Sequence, residues 1–139
     1  MTTVIFPGRY DSLAKIGDFI RRSAAEAGLD NLAVYTVETA VDEACSNIIE
    51  HAYGGENRGD IECTCNHSED KLIIILRDKG QPFDPASIPE PDLTASLEER
   101  EDHGLGLYFM RKWMDEVHFE TPAGGGNIVV MVKRLPEKE

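Results

Sequence analysis

The sequence predicts an α+β fold, a two-layer sandwich in which helices pack on one face of a mixed, mostly antiparallel sheet. Three observations lead there. The apolar period is 3.6 in the first third of the chain and changes to 2 after the break YGGENRG; the strand-like runs come in adjacent pairs; and a helical pattern returns once, late. The resulting order is β-α-α-β-β-loop-α-β-β, which suits helices gathered on one side of hairpin-built strands. At 139 residues, with no internal repeat and no second composition regime, the chain 1–139 reads as a single domain.

The first strand is TVIFP, a β-prone run stopped by Pro7 and Gly8. In DSLAKIGDFIRRSAAEAGL, Leu13, Ile16, Phe19 and Ile20 recur at spacings of three and four, with Asp11 or Ser12 as cap and Gly28 as stop. Asp30 or Asn31 caps the second helix, whose stripe is Val34, Val37, Val41, Ala44, Cys45, Ile48 and Ala52. Two strands, 61–66 and 72–77, follow as an antiparallel hairpin around the polar turn HSEDK. The second is an unbroken apolar run, predicted to be central and covered on both faces. The segment 79–103, rich in proline and acid and without a period, is long enough that it is expected to work as a lid or binding loop. GLGLYFMRKWMDEV restarts a helix, with Leu107, Met110, Met114 and Val117 on one face; VHFETP, AGGG and NIVVMVKRL close the chain as a hairpin.

Charge narrows the function. A formal net charge of −12 repels phosphodiester backbones, so nucleic acid is not expected as a partner, and an anionic membrane surface is disfavoured for the same reason. No apolar run reaches the roughly 18 residues a membrane span needs. MTTVIFPGRY lacks the basic start and long apolar core of a signal peptide, so a cytoplasmic location is expected. Cys45, Cys63 and Cys65 form no C-x-x-C pair and read as buried, reduced thiols. There is no G-x-x-x-x-G-K-[ST] and no G-x-S-x-G, and histidines 51, 67, 103 and 118 lack metal-ligand spacing. What remains is chemistry built from carboxylate, amide and glycine.

Three features carry it. In ETAVDEACSNIIEHAY, Glu43, Asn47 and His51 are four apart and share one side of the second helix. Periodicity alone sets Glu43 well round from the apolar stripe, where a glutamate is ordinarily solvated, and puts Asn47 and His51 beside its edge. Asn47 is a poor helix former in a helix interior. Asp78 and Gly80 follow directly on KLIIILR. An Asp there can accept from a ligand's amino group, and a Gly two residues on removes the Cβ that blocks a flat ring; a plain turn is the alternative. Finally, HGLGL at 103–107 opens a helix, so that backbone N–H groups and the helix dipole can face an anion. A capping turn explains it equally.

Together and in this order, EACSN, DKGQPFD and GLGL resemble the motifs of the ATP-binding domain shared by gyrase, heat-shock chaperones, histidine kinases and mismatch-repair proteins. More narrowly, the chain resembles the single-domain anti-sigma-factor serine/threonine kinases of bacterial partner-switching systems. The resemblance implies the histidine-kinase-like ATPase fold, ATP and Mg²⁺ as ligands, and segment 79–103 as the lid over the nucleotide. By the same resemblance Glu43 is the catalytic base, Asn47 the Mg²⁺ ligand, Asp78 the acceptor for the adenine amino group, and Gly80 the opening for the ring. Gly104, Leu105 and Gly106 line the phosphates. The implied partners are an anti-sigma-factor antagonist domain phosphorylated on serine, a sigma factor, and a second copy of the chain. Two alternatives stand beside this reading: an ATP-binding interaction module with vestigial kinase activity, and a switch kinase of secretion or motility without a sigma factor. One departure is Asn127, which follows GGG where many relatives place Thr. No phosphoacceptor helix precedes the domain, unlike a sensor histidine kinase. The resemblance assigns His51 no role.

Overall fold

The structure, a computed structural model, describes residues 1–82, 108 and 110–136. Its elements are β1 (Thr2–Pro7), α1 (Leu13–Glu26), α2 (Asn31–Asn47), β2 (Asp60–His67), β3 (Lys71–Asp78), β4 (Glu116–Glu120) and β5 (Asn127–Arg134). The five strands make one sheet in the order β1-β2-β3-β5-β4. All four pairings among the described residues are antiparallel. The predicted hairpins β2–β3 and β4–β5 are both present, and β3 lies at the centre.

The helix ends follow from local chemistry. A short 3-10 turn, Tyr10–Ser12, leads into α1, so Ser12 takes the N-cap position in helical conformation and its side chain caps nothing; Asp11 pairs with Arg9 instead. At the other end Gly28 adopts φ +103°. Its N–H donates to the Ala25 carbonyl and that of Leu29 to the Ala24 carbonyl, which closes the helix with a paired reversal that only a glycine enters cheaply. Asp30 caps α2 by accepting from the Ala33 N–H at 2.8 Å.

Every residue of the predicted α2 stripe is buried, and Ala40 and Ile49 join it. This stripe and Ile16, Ile20 and Ala24 of α1 cover Phe6, Ile61, Cys63, Leu72, Ile74, Leu76 and Met131. All three thiols are buried and reduced, as expected. Against expectation, β3 is covered on one face only. Leu72, Ile74 and Leu76 are fully buried under the helices, whereas Ile73 and Ile75 alternate to the other side and stay partly exposed. Val117 also departs from the sequence reading: the helical residues 110–113 end in a bend at Met114 and Asp115, and Val117 belongs to β4, paired with Met131. Met110 and Met114 are buried as predicted; Leu107 lies outside the described residues.

Two close approaches pack the chain around the end of β3, one against the turn that follows α2 and one from the turn that precedes β5. A Cβ on Gly80 would stand 2.5 Å from the Ala52 carbonyl, and one on Gly126, at φ +78°, would stand 2.2 Å from the Asp78 carbonyl oxygen. Gly126→Ala must therefore combine a left-handed backbone with a direct clash against main chain. A loss of about 2–3 kcal/mol in folding stability is expected. Denaturant unfolding measures it, and an unchanged midpoint would refute the account.

Candidate functional site

The α2 rod does not run straight through its polar row. After Asn47 the chain widens into one π-helical turn, Ile48–Ala52, in which the Tyr53 N–H donates to the Ile48 carbonyl. The extra residue in this turn throws the row out of phase. Glu43 and Asn47 stay together one turn apart, both partly buried, while His51 is carried to an exposed position 3.9 Å from Glu50. The structure thus separates the two residues to which a role is assigned from the one without. It also corrects periodicity alone, which puts Glu43 in solvent.

The turn leaves the Ala52 carbonyl available across the domain, where it accepts from the Gln81 N–H at 2.7 Å. Tyr53 adds a second tie: its hydroxyl donates to the Asp60 carbonyl at 2.6 Å and accepts from the Lys79 N–H at 2.9 Å. The end of α2 is thereby fastened to the segment that follows β3. That segment carries Asp78.

Asp78 is the last residue of β3 and is buried. Its Oδ1 accepts from the Gly80 N–H at 2.8 Å and from Asn127 Nδ2 at 3.0 Å. Asn127 also donates to the Gln81 carbonyl at 2.8 Å. The other carboxyl oxygen, Oδ2, is buried with no hydrogen-bond partner. Burial pushes the Asp78 carboxyl above the usual range, and the bonds from Asn127 and Gly80 pull it back. A buried carboxylate oxygen left without a donor is costly, so it marks a place where a donor from outside is expected.

Asp78 lines a pocket together with Ala44 and Asn47 of α2, Ile48 of the π-helical turn, Met110, and Phe119 and Val129 of the sheet. The walls are apolar apart from Asp78, Asn47, Asn127 and Glu120. A flat aromatic ring bearing an exocyclic amine meets this donor and acceptor pattern, with the amine on Oδ2. The cavity is about 20 Å³, room for one water. Asn47 and Asp78, far apart in sequence, are thus brought to one pocket, with Glu43 a turn away along α2. Gly80 makes its close approach to Ala52, not to the pocket. Gly104, Leu105, Gly106 and all but the first four residues of segment 79–103 lie outside the described residues. Among the described residues there is no group of acidic, histidine or cysteine side chains able to hold a metal by itself, and no helix long and apolar enough to cross a membrane.

Sequence reasoning missed four contributors. Ala44, Ile48 and Met110 were read as core and serve also as pocket wall; nothing in an apolar stripe distinguishes the two uses. Tyr53 gave no signal beyond its place at a helix end.

Residues 6–133 match the model of the histidine kinase-like ATPase domain. The chain belongs to this family. Among curated members, it is 41% identical over 105 residues to a serine-protein kinase RsbW of Bacillus pumilus, covering 71% of this chain and 64% of that one. It is 32% identical over 103 residues to an anti-sigma F factor of Clostridium novyi, covering 74% and 72%. The chain spans 63% to 66% of the length of the Bacillus kinases it matches. In fold, it superposes on the RsbU and RsbW domains of Rv1364c from Mycobacterium tuberculosis with a TM-score of 0.68 at 17% identity, over 99% of this chain and 34% of that one. The histidine kinase-like ATPase fold predicted from the sequence is therefore the fold observed.

Proposed function

We propose that this protein is an ATP-dependent serine/threonine kinase that acts as an anti-sigma factor and phosphorylates a serine on an antagonist domain. The single observation that supports ATP binding is Asp78 Oδ2, a buried acceptor without a donor, on a residue that lines an apolar pocket together with Asn47. The identities to kinases named RsbW and to an anti-sigma F factor support the rest.

In this reading the adenine amine donates to Asp78 Oδ2, and Ala44, Ile48 and Met110 flank the ring. Gly80 gives the ring its opening, and its missing Cβ lets the chain lie against Ala52, which lines the pocket. Asn47 offers its amide oxygen to Mg²⁺, which when bound neutralises charge between the phosphates. The Glu43 carboxylate, next along the same side of α2, takes the proton of the substrate serine hydroxyl as its oxygen bonds to the γ-phosphorus and the bond to the β,γ-bridging oxygen breaks. Gly104, Leu105 and Gly106 hold the phosphates, and segment 79–103 closes over them, so that one domain contains the whole site. The acidic surface suits protein partners with basic patches.

A second copy of the chain fits the uncovered side of the sheet. Register places Ile73 and Ile75 beside Val130 there, each partly exposed, and Ile5, also on that face, is 60% exposed. Apolar rows on an open sheet face are the usual mark of an interface. Light scattering on the purified chain is expected to give twice the 15.4 kDa mass; a monomer at micromolar concentration would remove the homodimer from the reading. The function itself is tested by incubating the protein with labelled ATP, Mg²⁺ and an antagonist domain. Label on a serine of that domain is expected. ATP binding without any transfer would replace the kinase by an interaction module.

A further inference from the structure

We infer that Tyr53 is a positioning residue for phosphoryl transfer: its phenol fixes the spacing between the two halves of the site, Glu43 and Asn47 on α2 and Asp78 at the end of β3. The inference rests on the proposed function, in which one nucleotide spans both halves.

The halves belong to different elements. A nucleotide held by its base at one and by its phosphates at the other passes any change in their spacing to the γ-phosphorus. One tie across the gap runs from the Gln81 N–H to the Ala52 carbonyl, main chain to main chain, at 2.7 Å. The other runs through a single phenol oxygen. Tyr53 is buried, and its hydroxyl donates to the Asp60 carbonyl at 2.6 Å while accepting from the Lys79 N–H at 2.9 Å. A phenol both donates and accepts, so one atom joins the end of α2 to the start of β2 and to the residue after Asp78. Phenylalanine keeps the ring and has neither function.

The ring is held from its other side as well. A Cβ on Gly59 would stand 2.4 Å from Cε1 of the ring and 2.7 Å from its hydroxyl oxygen. Gly59 is itself fixed, because its carbonyl accepts from the Gly8 N–H at 2.8 Å. At the main chain, the Tyr53 N–H donates to the Ile48 carbonyl across the π-helical turn, and Arg58 Nη1 donates to the Tyr53 carbonyl at 3.3 Å. Burial raises the phenol above its ordinary range, with the Lys79 N–H opposing and the nearby Asp78 and Asp60 adding to the rise. It therefore stays protonated at neutral pH and goes on donating to Asp60.

Transfer is more sensitive to this spacing than binding is. If the halves drift apart slightly, base and phosphates each keep their local contacts, and affinity changes little. In-line attack instead needs the serine oxygen, the γ-phosphorus and Glu43 in register, and a misplacement of about 1 Å costs on the order of 10²-fold. A tyrosine that only supported the fold would act on stability, or on ATP binding by loosening Asp78.

Steady-state transfer of labelled phosphate from Mg·ATP to the antagonist domain tests this on wild type, Tyr53→Phe, Gly59→Ala and the double variant. Tyr53→Phe is expected to lower kcat about tenfold, the tie from Gln81 to Ala52 being retained, with KM for ATP within about threefold of wild type. Gly59→Ala keeps the hydroxyl but drives the ring from its place, and is expected to lower kcat to a similar extent. Since both act on one contact, the double variant should fall no further than the slower single variant. A cooperatively folded Tyr53→Phe with wild-type kcat overturns the inference, as does a loss confined to KM or an additive loss in the double variant. If Tyr53→Phe does not fold, Gly59→Ala decides by the same kcat and KM criteria. Wild type that transfers no label removes the proposed function and this inference with it; transfer by wild type that Tyr53→Phe matches removes the role of Tyr53 alone.

Discussion

Asp78→Asn is expected to weaken ATP binding by about 100-fold or more while leaving the fold in place. The substitution is nearly isosteric. An asparagine can turn its own carbonyl oxygen toward the Gly80 N–H and the Asn127 amide, and so keep both bonds that the carboxyl Oδ1 accepts. Its nitrogen then stands where Oδ2 stood and presents donors to the adenine amine, itself a donor. One hydrogen bond becomes a repulsion inside an apolar pocket. Calorimetric titration checks the affinity, and binding within threefold of wild type would exclude Asp78 as the base acceptor. The same variant carries a stability signature. Because burial raises the folded-state carboxyl above its unfolded value, the folded protein holds that proton more firmly. Without nucleotide, this stability contribution is present at low pH and is lost as pH rises from the ordinary carboxylate range through the raised value. Asp78→Asn should remove that slope, which unfolding at a series of pH values would reveal.

The second large effect falls on the reaction and not on binding. Glu43→Ala is expected to slow serine phosphorylation by roughly 10²–10⁴-fold, with ATP affinity within about threefold of wild type. Glu43 is not among the residues lining the base pocket; it lies one turn back along α2 from Asn47. In the proposed reading it meets the γ-phosphate end of a nucleotide whose base sits at Asp78. Single-turnover transfer of labelled phosphate to the antagonist domain measures the effect. Undiminished transfer would remove Glu43 from the chemistry, and a parallel collapse of ATP affinity would make it a binding group.

How far the sequence revealed this depends on the length scale of each feature. The α2 stripe, the β2–β3 hairpin and the Asp30 cap depend on neighbours within a few residues, and they are legible as periodicity and composition. Asn47 and Asp78 could be named one by one, but their convergence is a property of sheet order, and only the recurrence of three motifs in sequence pointed to it. The π-helical turn left no mark, because IIEHA reads as ordinary helix; its consequence, the removal of His51 from the row, was accordingly invisible. Val117 was claimed by a helix because its spacing from Met114 suits one, whereas pairing with Met131 draws it into β4. The pocket walls were hidden for a different reason: an alanine or isoleucine that touches a ligand and one that touches core have the same chemistry.

The small cavity beside Asp78 has a thermodynamic meaning. Where a pocket is open in only a fraction of molecules, the apparent affinity is the intrinsic one multiplied by that fraction, so the position of Met110 relative to Ala44 and Ile48, which line the same pocket as Asp78, would set how much of the intrinsic affinity for a nucleotide bound there is realised. Anything that holds Met110 away from Ala44 and Ile48 raises that fraction. By reciprocity, a protein that binds the open form more tightly than the closed form strengthens ATP binding by the factor with which ATP strengthens its own. A partner that favoured the open pocket would therefore read the nucleotide, and the nucleotide the partner, without the two touching.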